Sequence, residues 1–464
     1  MISLQKDMSG EQRFFDVVVV GAGLTGLTTA WHLRKAGVTF RVLEKSDRPG
    51  GVIRTVCAHG FQYECGPNSG IIGQPEVVEL FDELQELEPE VADAAVNKRY
   101  ILKRGRWEAL PSGAASAIRT PLFTLRDKFR ILGEPFRRRG SDPDETLDRL
   151  VLRRMGPSFL DYAIDPFILG VYAGDPSKLV TRHAFPKLYN LEQNYGSFIG
   201  GSIKKRREPK SDIEKRVSRE VFSCKGGLQS LTDLLYRKVG EEQFIMGVGE
   251  TTLRPVDGGY EIKGVRGGEP FLINAKRVIT AVNGPDLDAL IPFMESGDRT
   301  VLSSVFYAPT VEVVLGFDRW EGRSLDAFGG LIPHRENRNI LGILFLSACF
   351  KNRAPEGGAL LTVFMGGVRR SEWIDASDDQ IRTAVADEVS RLMELKRFDP
   401  VLFKILRHHQ AIPQYSHESD EKIRVLEKIE REHPGLIIGG NILQGIGMAD
   451  RIRQGRLLAE KALI

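Results

Sequence analysis

Phe14-Phe15-Asp16-Val17-Val18-Val19-Val20-Gly21-Ala22-Gly23-Leu24-Thr25-Gly26 decides how the rest of the chain folds. The run up to Val20 is apolar and rich in β-branched residues, as a strand buried on both faces of a parallel sheet should be. It ends in Gly-x-Gly-x-x-Gly. Leu27, Ala30, Leu33 and Ala36 then follow helical spacing, and Gly37 closes the helix. Residues 38–43 read as a second strand, which ends at Glu44. Each part has a physical task. Gly21 permits the tight turn, Gly23 lets the backbone approach a pyrophosphate, and Gly26 allows close helix–strand packing. Ala22, Leu24 and Thr25 complete a loop whose N–H groups face an anion at the helix N-terminus. Glu44 is placed to accept hydrogen bonds from a ribose 2′-OH. With strand, helix, second strand and acid in register, the predicted fold class is α/β, built on a Rossmann-type dinucleotide-binding domain.

At 464 residues the chain is too long for one simple core, so two or three domains are expected. A hydrophobic fraction of 42% and a mean hydropathy of −0.20 describe an ordinary globular protein. The net charge of only +3 argues for neither nucleic acid nor an acidic partner, and no nucleic-acid partner is expected. No stretch approaches the ~18–20 apolar residues that span a bilayer. Residues 1–12 are polar, so no secretory signal is expected. Cys57, Cys65, Cys224 and Cys349 form no C-x-x-C pair and suggest reduced intracellular thiols, hence a cytoplasmic protein.

The cofactor domain is expected to be discontinuous: residues 1–90, 216–290 and 406–464. Strand-like runs near 244–248, 260–265 and 278–282 mark the first return of the chain. A strand over 435–441, followed by Gly445-Ile446-Gly447-Met448-Ala449-Asp450 and a helix, marks the second. Residues 91–215 are richer in helix formers and basic residues and read as a mainly helical insert. Residues 291–405 alternate strands (311–317, 341–347, 360–365) with a helix near 378–395, which suits an α+β substrate domain. Within the insert, Arg126, Lys128, Arg130, Arg137, Arg138 and Arg139 are interleaved with Leu122, Phe123, Leu125, Phe129, Ile131 and Phe136, and Lys204-Lys205-Arg206-Arg207 follows later. This pattern suits either a solvated face over core packing or peripheral contact with an anionic membrane. His408 and His409 are adjacent and point apart on a strand, so no metal role is assigned to them.

Arg48-Pro49-Gly50-Gly51-Val52, just after Glu44 and Lys45, resembles the R-x-G-G signature of flavin amine oxidases, where arginine and glycines lie against the FAD pyrophosphate. That favours FAD over NAD. Further segments resemble the oxidases of protoporphyrinogen IX and coproporphyrinogen III, and in the same order. They are Gly66-Pro67-Asn68-Ser69, Lys98-Arg99-Tyr100-Ile101, Gly170-Val171-Tyr172-Ala173-Gly174-Asp175-Pro176, Ala184-Phe185-Pro186, Tyr195-Gly196-Ser197, Phe350-Lys351-Asn352-Arg353-Ala354-Pro355 and Asn441-Ile442-Leu443-Gln444-Gly445-Ile446-Gly447.

The resemblance implies noncovalent FAD, held by Glu44, Val248, Ile446, Gly447 and Met448 together with the glycine loop, Lys45, Arg48, Gly51, Val52, Gly66, Pro67 and Ser69. It implies that Asn68 orients flavin and substrate as the catalytic polar residue. It implies further that Arg99 pairs with a substrate propionate, and that Leu331, Leu344 and Phe364 hold the tetrapyrrole against the flavin. On composition alone those last three are core strand residues. The activity so implied is dehydrogenation of a porphyrinogen, with hydride transfer to flavin N5 and oxygen as acceptor. Three cycles yield the porphyrin and hydrogen peroxide. Protoporphyrinogen is the expected substrate. Coproporphyrinogen carries two more propionates and would need further cations, for which Lys178, Arg182 and Lys187 are candidates. A ferrochelatase taking the product directly is expected only from the pathway. The alternatives are an amine oxidase, a carotenoid desaturase, or an escort-type binding protein that keeps the fold without the chemistry.

Overall fold

The computed structural model describes residues 14–96, 98–442 and 445–464. The polar stretch 1–12, and Leu443 and Gln444 of the segment 441–447, lie outside the described residues. Phe14–Val20 is a strand in the middle of a parallel array. Phe40–Glu44 lies on one side, with Phe244–Met246 beyond it, and Glu269–Thr280 lies on the other. Glu269–Thr280 is long enough to serve two arrays. Val278 to Thr280 pair in parallel with Leu436–Ile438, while the first half turns back antiparallel against Gly259–Arg266 and then Val248–Val256.

The sheet is covered by helices because its strands are apolar on both faces. Leu24–Ala36 ends at Gly37 with φ +72°, a left-handed cap that glycine adopts without strain. The C-terminal helix, Met448–Leu463, packs on Leu24–Ala36 at Gly455, where a Cβ would fall 2.7 Å from both the Thr25 carbonyl oxygen and the Thr28 Cβ. Leu27, Leu33, Ile452 and Leu458 share that core with Val17 and Val19.

A second sheet has the order Leu402–Pro413, Tyr307–Phe317, Ala359–Gly366, Gly342–Leu344, Gly329–Leu331, Arg99–Lys103, Arg106–Ala109. Arg99–Lys103 and Arg106–Ala109 fall within the segment read as helical from sequence, and Leu402–Pro413 crosses the boundary read at 405. The physical reason is that helix formers and basic residues dominate the composition there, while Arg99–Lys103 and Arg106–Ala109 form a hairpin over Arg104 and Gly105, both at positive φ, and Arg99–Lys103 joins the sheet through long-range pairing with Gly329–Leu331. The helical part accordingly starts at Ala114–Arg119 and runs to Asp212–Lys215. One face of the second sheet, with Val311, Val313, Leu361 and Val363, packs on Ile381, Val385 and Val389 of the helix Asp378–Leu392. The other face points back toward the glycine loop and the helical part.

Candidate functional site

Three loops converge at the carboxyl ends of the parallel strands, where doubly wound sheets take their ligands. Gly21 has φ +107°, and a Cβ on Gly26 would lie 1.8 Å from the Gly21 carbonyl oxygen, so both glycines are sterically required. Gly23 differs: a Cβ there would meet nothing within 4 Å. Open space therefore stands before the N-terminus of Leu24–Ala36, whose first turn has neither a side-chain cap nor an acidic residue. Such an end presents free N–H groups and partial positive charge. Buried Glu44 accepts from the Ala22 N–H through Oε2 (2.7 Å) and from the Ser46 N–H through Oε1 (2.9 Å), which leaves lone pairs for a ribose hydroxyl. The open cradle, the uncapped helix and the buried acid suit a dinucleotide.

The other residues expected on the cofactor side lie around this cradle as follows. Arg48 donates to the carbonyls of Pro49 (3.0 Å), Gly51 (2.7 Å) and Ile53 (3.0 Å), so it shapes the glycine turn and acts on the site through it. Gly50 N–H donates to the Ala22 carbonyl (2.8 Å), and a Cβ on Gly51 would lie 3.2 Å from Gly23 Cα. Val52 is exposed, and its carbonyl abuts Gly66, where a Cβ would lie 2.3 Å away. Val248 is buried beside this region, tied in by Gly247 N–H donating to Ser46 (2.9 Å). Lys45 is exposed and faces Asp286 at 3.5 Å. In the C-terminal loop, Gly447 N–H donates to Asp450 Oδ2 (3.2 Å), Met448 is buried, and Ile446 packs against a cluster of the helical part that includes Leu147, Tyr172 and Tyr415.

Asn68 stands between this cradle and the second sheet. Its Nδ2 donates to Glu312 Oε1 (2.7 Å) and to the Gly66 carbonyl (3.2 Å), and its Oδ1 accepts from Thr362 Oγ1 (3.2 Å). Pro67 and Ser69 flank it, partly exposed. Strand register then gathers the remaining residues. One row runs Ile101, Leu331, Gly342, Phe364, Glu312; another, two residues along each strand, runs Arg99, Gly329, Leu344, Thr362. Side chains two apart share a face, so Arg99, Leu331, Leu344, Phe364, Thr362 and Glu312 all lie on the face that Asn68 meets. Leu331, Leu344 and Phe364 are only half-buried. Leu331 packs on Gly170, where a Cβ would lie 2.5 Å from its Cδ2, and Phe364 packs with Leu169 and Ala173. Arg99 is exposed, with its guanidinium carbon 5.5 Å from the Phe328 ring centroid, and no carboxylate among the described residues pairs with it.

Two ion-pair groups hold this arrangement. Arg369 donates to Asp165 (2.5 Å) and Asp175 (2.9 Å), and Val368 N–H donates to the Ala173 carbonyl (2.8 Å), so the segment 170–176 is clasped to the sheet. Burial raises the Asp175 pKa, but hydrogen bonds from Arg369 and Ser177 outweigh it and bring it down to about 2. Behind Asn68, buried Glu64 accepts from Thr55 Oγ1 (2.7 Å) and Leu228 N–H (3.0 Å) and lies 3.4 Å from Arg353, whose other arm donates to Ser223 (2.6 Å). Burial pushes the Glu64 pKa up against those partners. Arg353, in the segment 350–355, is thus an internal anchor of the strand Phe61–Glu64 that delivers Asn68.

Glu312 and Thr362 were not among the residues expected at the site, and His408 was weighed only for a metal role. The available signal was Glu312 itself, a lone acid inside the apolar run Val311 to Phe317. Of the cations weighed for extra carboxylates, Arg182 is engaged by Asp144 (2.6 Å) and Asp420, while Lys178 and Lys187 are exposed. A surface cavity of about 780 Å³, lined by Asp16, Tyr260, Lys276, His433 and Gly435, opens at the amino ends of the parallel strands, away from all of these residues. Among the described residues no helix is long and apolar enough to cross a membrane.

The family model for flavin containing amine oxidoreductases matches residues 24–463. Protoporphyrinogen oxidase 2, chloroplastic/mitochondrial, of Arabidopsis thaliana is 30% identical, over 95% of this chain and 92% of its own. Coproporphyrinogen III oxidase of Bacillus subtilis is 26% identical, over 96% of this chain and 97% of its own. A crystal structure from Exiguobacterium sp. 255-15, provisionally named a protoporphyrinogen oxidase, superposes with a TM-score of 0.79 at 22% identity, covering 97% of this chain and 98% of that one. That structural likeness bears on the fold.

Proposed function

The chain belongs to the flavin containing amine oxidoreductase family and, within it, to the protoporphyrinogen and coproporphyrinogen oxidases, and from that premise we propose that it oxidises protoporphyrinogen IX to protoporphyrin IX with noncovalent FAD and oxygen as acceptor. The observation that carries the reading is the shared sheet face: Arg99, with no carboxylate partner among the described residues, half-buried Leu331, Leu344 and Phe364, and Asn68 set between them and the glycine loop. Apolar walls with one guanidinium suit a flat, apolar macrocycle carrying carboxylates. FAD, held by Glu44 and the Gly23 cradle, would supply a two-electron, hydride-accepting capacity for dehydrogenation of the macrocycle.

The protein's own residues position the reactants and exclude water. Arg99 binds a propionate through two parallel hydrogen bonds. Leu331, Leu344 and Phe364 remove water from the ring. Asn68 holds the reacting pyrrole at the boundary of the two parts, and Glu44 with the Gly23 cradle fixes the dinucleotide. The engagement of Arg182 by aspartates supports protoporphyrinogen over its more acidic relative.

A second part of the proposal concerns place: a cytoplasmic chain in peripheral contact with an anionic membrane. In the helix Leu125–Leu132, Leu125, Phe129 and Leu132 are exposed while Asp127 is buried, accepting from Ser158 N–H (2.8 Å). Exposed Phe136 and Ile203 and the neighbouring basic runs extend that surface. This apolar-out, basic-flanked arrangement suits a lipid headgroup boundary. The porphyrin would pass from there to a ferrochelatase.

Aerobic oxidation of both porphyrinogens by flavin-loaded protein, followed by porphyrin fluorescence, tests the activity. Faster turnover of protoporphyrinogen is expected. Preference for coproporphyrinogen would reassign the substrate, and turnover of neither would end the porphyrinogen reading.

A further inference from the structure

Asn68 is the polar residue of the site, yet an asparagine amide presents either a donor or an acceptor, and its orientation decides which. Here both Nδ2 hydrogens are engaged, one on Glu312 Oε1 at 2.7 Å and one on the Gly66 carbonyl at 3.2 Å. Oδ1 accepts one bond, from Thr362 Oγ1 at 3.2 Å, and keeps a second lone pair. A carboxylate is acceptor-only when ionised, so Glu312 can face the NH2 side of the amide and not its oxygen.

We infer that Glu312 is a positioning residue that locks the Asn68 amide with its carbonyl oxygen toward the substrate, so that Asn68 accepts a hydrogen bond from a pyrrole N–H. This rests on the porphyrinogen reading and deepens it. Loss of hydride from the meso carbon leaves positive charge shared with the pyrrole nitrogen, whose N–H becomes a stronger donor. An acceptor fixed opposite that N–H therefore gains strength in the transition state, whereas a rotated amide would present N–H against N–H.

Glu312 is 2% exposed in the middle of an apolar strand, a setting that penalises its charge. Burial pushes its pKa up, and the contacts with His408 and Asn68 draw it part of the way back. The titratable groups around it are His408 from the adjoining strand, with Nε2 3.5 Å from Oε2, and Glu64 and Cys65 from the segment leading to Asn68; Lys404 acts on Cys65 from the same side as His408. A carboxylate retained at that penalty serves something other than stability. When it gains a proton, Glu312 becomes a donor and releases the amide to turn, so activity should fall on the acid side at a pH above that of an ordinary glutamate.

The test uses the flavin-loaded full-length enzyme and its Glu312→Gln, Asn68→Ala and doubly substituted forms. For Glu312→Gln, kcat for protoporphyrinogen should drop about ten- to hundredfold with KM little changed, the size of one charge-assisted hydrogen bond. The acid limb of the kcat profile should disappear, Tm should hold or rise, and in the Asn68→Ala background the substitution should change nothing. Glu312→Leu gives a second form that lacks both charge and amide, and it should be as stable and as slow. A lowered Tm with an unaltered pH profile, or an equal loss of kcat with and without Asn68, overturns the inference while leaving the porphyrinogen activity of the unsubstituted enzyme standing. Failure of that enzyme itself on both porphyrinogens overturns the substrate reading and this inference with it.

Discussion

Arg99 and Asn68 have different surroundings at the scale of the residue, and the roles proposed for them differ accordingly. Arg99 lies over the Phe328 ring and pairs with no carboxylate among the described residues, so its donors are available to a propionate. Arg99→Ala should raise KM for a porphyrinogen about tenfold or more and lower kcat much less, and steady-state kinetics would read the split. An unchanged KM would remove the propionate role. Gly26 carries the opposite demand, since any side chain there collides with the Gly21 carbonyl at 1.8 Å. Gly26→Ala should yield protein that retains little flavin, seen as lost yellow absorbance after desalting. Gly26 was legible in the sequence because its motif is local. The Asn68–Glu312 bond was not, because its partners are 244 residues apart and meet only through sheet register.

Elements set where these residues stand. The parallel strands and the helix Leu24–Ala36 could be read from an apolar run, helical spacing and glycine punctuation, since each is a local signal. Arg99–Lys103 could not, because its three central residues are all buried and show no alternation, and its place in the sheet is set by pairing with the distant Gly329–Leu331 as well as by the hairpin to Arg106–Ala109. The helix Leu125–Leu132 is the converse case: its apolar spacing suits core packing or a membrane equally well, and the fold turns Leu125, Phe129 and Leu132 outward. Replacing Phe129 and Leu132 with Ser should therefore leave Tm within a degree or so yet abolish pelleting with anionic vesicles, because exposed positions contribute little to stability. Unchanged, salt-insensitive pelleting would exclude this helix as the contact. Gly455→Leu should do the reverse, lowering stability by about 1–3 kcal/mol where the two helices touch.

On the scale of the whole molecule, the site exists because three separated stretches return to one sheet edge and a second sheet faces them. The clasp of Arg369 on Asp165 and Asp175 keeps the helical part against that second sheet. Asp175 has a folded pKa of about 2 against an ordinary 3.8, so its contribution is fully present above about pH 4 and is lost as pH falls toward 2. Acid unfolding should accordingly begin later in the unsubstituted protein than in Asp175→Asn, with about 2 kcal/mol between them at neutral pH, as chemical denaturation at several pH values would show. Sequence alone determined the α/β class, the dinucleotide cradle and the family, because a glycine loop between strand and helix, and short ordered segments, are contiguous along the chain. Only the tertiary structure decided that Arg99 sits in a sheet, that Arg48 and Arg353 brace turns and strands, and that Asn68 donates to Glu312. Those facts depend on pairing and burial between distant segments, and the free energy that selects them comes from the packed whole.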